Sequence, residues 1–182
     1  ILAVDLGTDI LPALALGAEK PDPAVMKRPP RPRKERLLNG PLLARAYLFL
    51  GVMEATAALA AFFFVLGGGG WTYGETLARQ DPLYLEATTA CFMAIVVSQM
   101  VNVFLCRHPR RSAFAFGIAS NKLIVWGVAA ELALLLAIVY TPMGNALFGT
   151  APLAASAWLF VLPFALGMLT LEEVRKAVVR RW

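Results

Sequence analysis

The chain carries little charge. Of its 182 residues only 16% are Asp, Glu, Lys or Arg, against about a quarter in an ordinary soluble domain. A soluble globule would also need an amphipathic shell around its apolar core, and the sequence has almost none. Cysteine is scarce as well. Cys91 and Cys106 lie in, or at the end of, one apolar run, fifteen residues apart. On a helix they cannot reach each other, so they read as small apolar residues rather than a disulfide or a metal site. A basic segment ahead of the first apolar run is missing too, so the opening does not read as a secretory signal peptide. The chain instead opens on apolar residues with acids among them, as a boundary drawn through a helix would look. The single histidine, His108, stands among arginines and reads as solvated surface.

Hydrophobic residues make up 59% of the chain and are gathered in blocks. Several blocks approach the ~20 residues that cross a ~30 Å hydrocarbon layer. The pattern predicts an all-α, polytopic transmembrane helical bundle with about five spans, forming one domain over residues 1–182. The spans fall at about 1–17, 42–66, 85–106, 122–141 and 153–173. Between the first two lies KPDPAVMKRPPRPRKER, where Pro29, Pro30 and Pro32 forbid a regular helix. Gly67 to Gly70 end the second span, and Trp71 and Tyr73 are expected to sit at the membrane interface. The fifth run is interrupted by Pro163 and Gly167, and its helix is expected to continue one or two turns into the charged tail. There is no internal repeat and no heptad pattern.

Charge sets the topology. Sixteen of the seventeen basic residues fall on one side of this arrangement, leaving Arg79 alone on the other. The positive-inside rule makes the basic side cytoplasmic, with the C-terminus there, in a multi-pass protein of the plasma or inner membrane. The basic loop suits anionic lipid headgroups better than nucleic acid, because prolines interleave it and spans flank it.

Asp5 and Asp9 are the sharpest feature. A charge at mid-bilayer costs at least ~2.5 kcal/mol and marks function by default. Four residues apart on a helix, the two share a face and repel unless a cation or a proton lies between them. Gly7, Thr8 and Pro12 predict local unwinding around Gly7 to Asp9, which would offer carbonyl oxygens beside the carboxylates. The alternative is a re-entrant or extramembrane segment with ordinary surface acids. Gln99 and Asn102, three apart in the third run, offer neutral oxygens either to a dehydrated cation or to a neighbouring helix. Glu131, alone in the fourth run, is a proton-linked group or an ion ligand. Glu54, among small residues, is expected to make a structural hydrogen bond. Glu172 and Glu173 are expected to pair with Arg175 or Lys176.

VDLGTDILPALALGAEKPDPAVMKRPPR resembles the sixth transmembrane helix of P2-class, P-type cation-transporting ATPases and the loop that follows it. TTACFMAIVVSQMVNVFLCR resembles the eighth helix, NKLIVWGVAAELALL the ninth, and LEEVRKAVVRR the end of the tenth. The resemblance covers essentially the whole chain and makes its five runs helices six to ten of the pump. It implies that Asp5, Thr8 and Asp9 ligate transported ions and that Gln99 and Asn102 face the ion sites. It also implies that Glu131 matches the glutamate near the extra sodium site of sodium/potassium pumps. DLGTD is closer to sodium/potassium and proton/potassium pumps, whereas Asn102 is closer to calcium pumps. The cation is therefore sodium, potassium, calcium or a proton.

The resemblance also implies what these residues do not do. The family is phosphorylated in a DKTGT motif, and no DKT occurs here. No catalytic or cofactor-binding residue is expected in this chain. ATP and magnesium belong to the pump's other domains, which become its partners together with the remaining membrane helices and membrane lipids. A free-standing cation carrier or channel and a non-catalytic membrane scaffold are the competing functions.

Overall fold

The computed structural model describes the backbone of residues 2–19, 26, 38–117 and 120–181, and side chains from Ile10 onward within those ranges except that of Phe116. The 27–37 part of the basic loop lies outside the described residues. The described elements are helical, as the composition requires. They are α1 (Leu2–Gly17), α2 (Gly40–Gly68), α3 (Pro82–Cys106), α4 (Lys122–Tyr140), α5 (Pro142–Phe148) and α6 (Ala155–Val179), with a 3-10 turn at Ala113–Phe116. Four of them, α2, α3, α4 and α6, are long and apolar enough to cross a membrane, and α1 is described over 16 residues.

Most helix starts are written in local chemistry. The side chains of Asn39, Asp81, Asn121 and Thr141 accept backbone N–H bonds from Leu42, Leu83, Leu123 and Gly144. Pro41, Pro82 and Pro142 follow three of these caps, where a missing N–H costs nothing. The short α5 was not anticipated in the loop after Tyr140. Its signals are the Thr141–Pro142 start and Gly149, which closes it in the left-handed conformation at φ 64°.

Two expectations about helix breaks are corrected. The segment around Gly7 to Asp9 does not unwind, since α1 is a continuous α-helix through Pro12. Pro12 is buried against α4, where Gly127 brings the two backbones together. The helix stays continuous although Pro12 has no N–H to complete one internal bond, with α4 packed against that turn. Likewise α6 runs unbroken through Pro163 and Gly167, and continues to Val179 as expected. The irregularity lies instead in α2, whose residues Ala44–Leu50 form a π-helical stretch. It closes with the Gly51 N–H bonded to the Ala46 carbonyl. A Cβ at position 51 would lie 3.1 Å from that oxygen, so the glycine fits the widened turn.

Helix α3 is the centre of the bundle. Half of its most apolar stretch is buried, against a third or less in the other three spans. Small residues make that possible: Ala61 of α2, Ala87, Ala90 and Ala94 of α3 and Ala157 of α6 share one core with Met93, Val96, Leu135 and Val161. Without a hydrophobic force between helices in lipid, such close backbone approach is what stabilises a membrane bundle. Outward-facing Leu59, Phe63, Trp126, Leu159 and Leu166 remain exposed, as a lipid-facing surface requires. Phe62 and Phe63 pack edge to face, and Phe64 stacks on Phe160 of α6. At the far end Trp71 donates its indole N–H to the Glu75 carbonyl, and Tyr73 is exposed beside it.

Candidate cation-binding site

Three helices meet along one seam. Ala15 of α1, Val103 of α3 and Ile124 of α4 form a buried cluster, with Leu16, Phe104 and Val128 packed against it. Helices α1 and α4 run antiparallel there. Asn121, at the start of α4, bonds the Ala15 carbonyl near the end of α1. Six residues further along α4, a Cβ on Gly127 would lie 3.3 Å from the Pro12 nitrogen and 3.4 Å from the Leu11 carbonyl carbon. One more turn brings Glu131 level with the α1 backbone near Thr8, one turn before Pro12.

Glu131 is almost wholly buried, and both of its carboxylate oxygens are shielded from solvent. Gln99 stands one turn before Val103 on the seam face of α3, and its Oε1 is shielded too. Side chains lean toward the N-terminus of their own helix, so Gln99 and Glu131, on antiparallel helices, lean toward a common level. The side chains of Asp5, Thr8 and Asp9 lie outside the described residues, although their backbone belongs to α1.

Asn102 takes a different place from Gln99. It lines a cavity of about 150 Å³ against α2, together with Leu42, Arg45, Ala46, Leu50, Gly51, Glu54 and Cys106. Its Oδ1 accepts the Cys106 thiol at 3.3 Å. The other polar residues of α3 serve the helix itself: Thr88, Thr89 and Ser98 donate to carbonyls three or four residues back. Thr89 also accepts the Ala151 N–H from the segment before α6. Among the described residues no group of three or more His, Cys, Asp or Glu side chains stands close enough to hold a metal ion.

The end of the bundle that gathers the basic residues is tied by two ionic knots. In the first, Arg107 grips Glu19 side-on, with Nη2 2.8 Å from Oε1 and Nε 3.1 Å from Oε2. Arg107 also donates to the Gly117 carbonyl and the Ser120 hydroxyl. Asn121 adds a bond to Glu19 at 2.9 Å. The Arg107 guanidinium holds the Glu19 carboxyl below its ordinary range; Asn121 adds to that, and burial opposes it.

The second knot is built on α6. Glu172, with its side chain fully buried, binds Arg175 at 2.6 Å and Arg45 of α2 at 2.7 Å. Lys176, also fully buried, donates to the Leu105 carbonyl at 2.9 Å and pairs with Glu173 at 3.5 Å. Glu173 accepts the Ala113 N–H. The expected pairing of Glu172 and Glu173 with Arg175 and Lys176 is present. The link from Arg45, 127 residues away, carries no signal in the sequence. His108 is partly buried rather than free surface, and its Nδ1 accepts the backbone N–H groups of Arg110 and Arg111.

Residues 1–178 match the family described as cation transporting ATPase, C-terminus. The chain belongs to that family. It is 31% identical over 206 residues to the sodium/potassium-transporting ATPase subunit alpha-4 of Rattus norvegicus, with all of this chain and 20% of that protein covered. It is 30% identical, with the same coverage, to the alpha-2 subunit of Gallus gallus and the alpha-3 subunit of Homo sapiens. The chain thus spans about a fifth of the length of these relatives. This cation-ATPase C-terminal domain is a membrane domain, and the phosphorylation motif is not among its 182 residues.

Proposed function

We propose that this domain supplies part of the transported-cation site of an ATP-driven pump. Asp5, Thr8 and Asp9 of α1 act as principal ligands, with Gln99 and Glu131 completing the seam. Asn102, which lines the separate cavity against α2, is not assigned to this seam. The observation that carries this is the antiparallel contact of α1 and α4, Asn121 with Ala15 and Gly127 with Pro12 and Leu11, from which one further turn along each helix leads to Glu131 and Thr8. The cation, sodium, potassium, calcium or a proton, is the substrate.

A cation between Asp5 and Asp9 offsets their repulsion and exchanges its water for carboxylate, amide and hydroxyl oxygens. When the site opens to its low-affinity side, protons replace the cation and offset the same repulsion between the two carboxylates. ATP and magnesium act in the pump's phosphorylation and nucleotide-binding domains, which drive that switch. Membership of the ATPase family argues against a free-standing carrier or a scaffold. The basic end, carrying both ionic knots, faces the cytoplasm, and the α1 segment completes five spans.

The test is cation-dependent phosphoenzyme formation by the full-length pump. Asp9→Asn and Asp5→Ala lower apparent cation affinity at least about tenfold, or ~1.4 kcal/mol, while Arg79→Ala leaves it unchanged. Unaltered cation dependence in both acidic variants, at normal expression, refutes the assignment.

A further inference from the structure

We propose that Glu19 is a positioning residue for the cation site, fixing the end of α1 against α3 and α4 through Arg107 and Asn121. This rests on the reading of α1 as the ligand-bearing helix.

Glu19 lies just beyond that helix, and its carboxylate is shared between two others. Arg107 directly follows the last residue of α3 and binds both carboxylate oxygens. Asn121 is the N-cap of α4 and binds Oε2. A side-on, two-bond guanidinium–carboxylate pair fixes angle as well as distance, which a single lysine contact would not. The Arg107 side chain is 2% exposed, so water competes poorly for it.

Asn121 makes the coupling tighter. Its Oδ1 caps the first turn of α4 by accepting the Leu123 N–H. Its Nδ2 bonds the Ala15 carbonyl, one of the last four carbonyls of α1, which have no partner within the helix. One amide therefore closes the end of α1 and the start of α4 at once. Two turns back along α1 from Ala15, and nearly three along α4 from Asn121, are Thr8 and Glu131. A short rigid lever joins the clamp to the ligands: α1 is continuous between them, and Gly127 presses on it at Pro12 midway. Loss of the clamp frees the end of α1 to tilt or turn, and displaces its ligands relative to Glu131 and Gln99.

A residue that only stabilised the fold would lower the amount of working pump. A positioning residue changes the cation concentration needed for half-maximal effect and leaves the maximal level alone. The experiment measures cation-dependent phosphoenzyme in the full-length pump for Glu19→Gln, Arg107→Gln and the double variant, with Asp9→Asn and Glu75→Gln alongside. Glu19→Gln is expected to raise the half-maximal cation concentration about threefold to tenfold, with the maximal phosphoenzyme level per folded pump unchanged. The double variant is expected to be no worse than the poorer single one, because both act through one contact. Glu75→Gln, in the loop between α2 and α3, is expected to match the wild type. A normal half-maximal concentration in Glu19→Gln, an additive double variant, or a fall in maximal level alone overturns the proposal while the Asp9→Asn shift persists. No shift in Asp9→Asn itself identifies the cation-site reading as the failure, and the positioning role falls with it.

Discussion

The ammonium of Lys176 donates to the carbonyl oxygen of Leu105 at 2.9 Å, with no part of the lysine exposed. Leu105 is the penultimate residue of α3, so its carbonyl is one of those left over at a helix C-terminus, where the helix dipole favours a cation. Arg45 approaches the same oxygen from α2 at 3.4 Å. The end of the central helix is thereby fastened to the first and last of the four long spans. Lys176→Met keeps the aliphatic bulk and deletes the donor. The variant is expected to lose about 1–3 kcal/mol of stability, read as a lowered thermal midpoint of the purified protein in detergent.

Glu172→Gln removes the carboxylate shared by Arg45 and Arg175. Two guanidiniums, each mostly covered, then lose that counter-charge. A cost of about 3 kcal/mol is expected, larger than that of Lys176→Met. The two substitutions are expected to be non-additive, because Arg45 touches both Glu172 and Leu105. Additive midpoints would show the knot to be two unrelated contacts.

Gly127 sets the spacing of α1 and α4. Alanine there requires Pro12 and Leu11 to give by a few tenths of an ångström, whereas Gly127→Leu forces the helices apart. The larger substitution is expected to cost about 1–3 kcal/mol and to weaken apparent cation affinity in the full-length pump, with Gly127→Ala falling between it and wild type. Equal behaviour of alanine and leucine would mean that this contact does not set the seam.

Glu19 predicts a dependence on pH. Its folded-state pKa lies below the ordinary value of 4.5, chiefly through the hydrogen bond from Arg107. The stabilisation it provides is therefore complete above that ordinary value and is lost as pH falls through the depressed one. Wild type and Glu19→Gln are expected to differ in thermal midpoint at pH 6 and to converge as the pH is lowered below about 4. A difference that stays constant with pH would assign the effect to shape rather than charge.

How much of this was legible beforehand can be judged residue by residue. The long helices are written in apolar runs and in caps such as Asp81–Pro82, and the charge asymmetry marks one end of the bundle. Glu131 stands out because an acid within an apolar run is too costly to be incidental. The partnership of Arg45 with Glu172 does not stand out, because long-range pairing depends on helix rotation and leaves no periodic trace. Pro12 misled for a related reason. A lone proline predicts a break from local sterics, and local sterics take no account of a neighbour such as Gly127, 115 residues later, packed on the same turn. Asn102 shows the limit of spacing: three residues from Gln99, it still lines a different cavity.

Orientation is checked by labelling. Single cysteines at Tyr73 and at Arg180, in a background free of Cys91 and Cys106, are expected to react with an impermeant thiol reagent from opposite sides of sealed vesicles. Reaction of both from the same side would reverse the assignment of at least one span.

The π-helical stretch Ala44–Leu50 gives the second described helix a different kind of significance. A π turn accommodates one residue more than an α turn, so the stretch acts as a phase adjuster, setting the rotation of everything before it relative to everything after. Arg45 lies within the stretch and Glu54 just past it. Restoring a plain α-helix by deleting one residue would rotate the leading turns by about 100° and swing Arg45 off Glu172, while leaving the lipid-facing register downstream intact. The extra residue thus decouples two requirements on a single rod, an ionic anchor at one end and an apolar membrane face along the rest, that no uniform helical repeat would meet together.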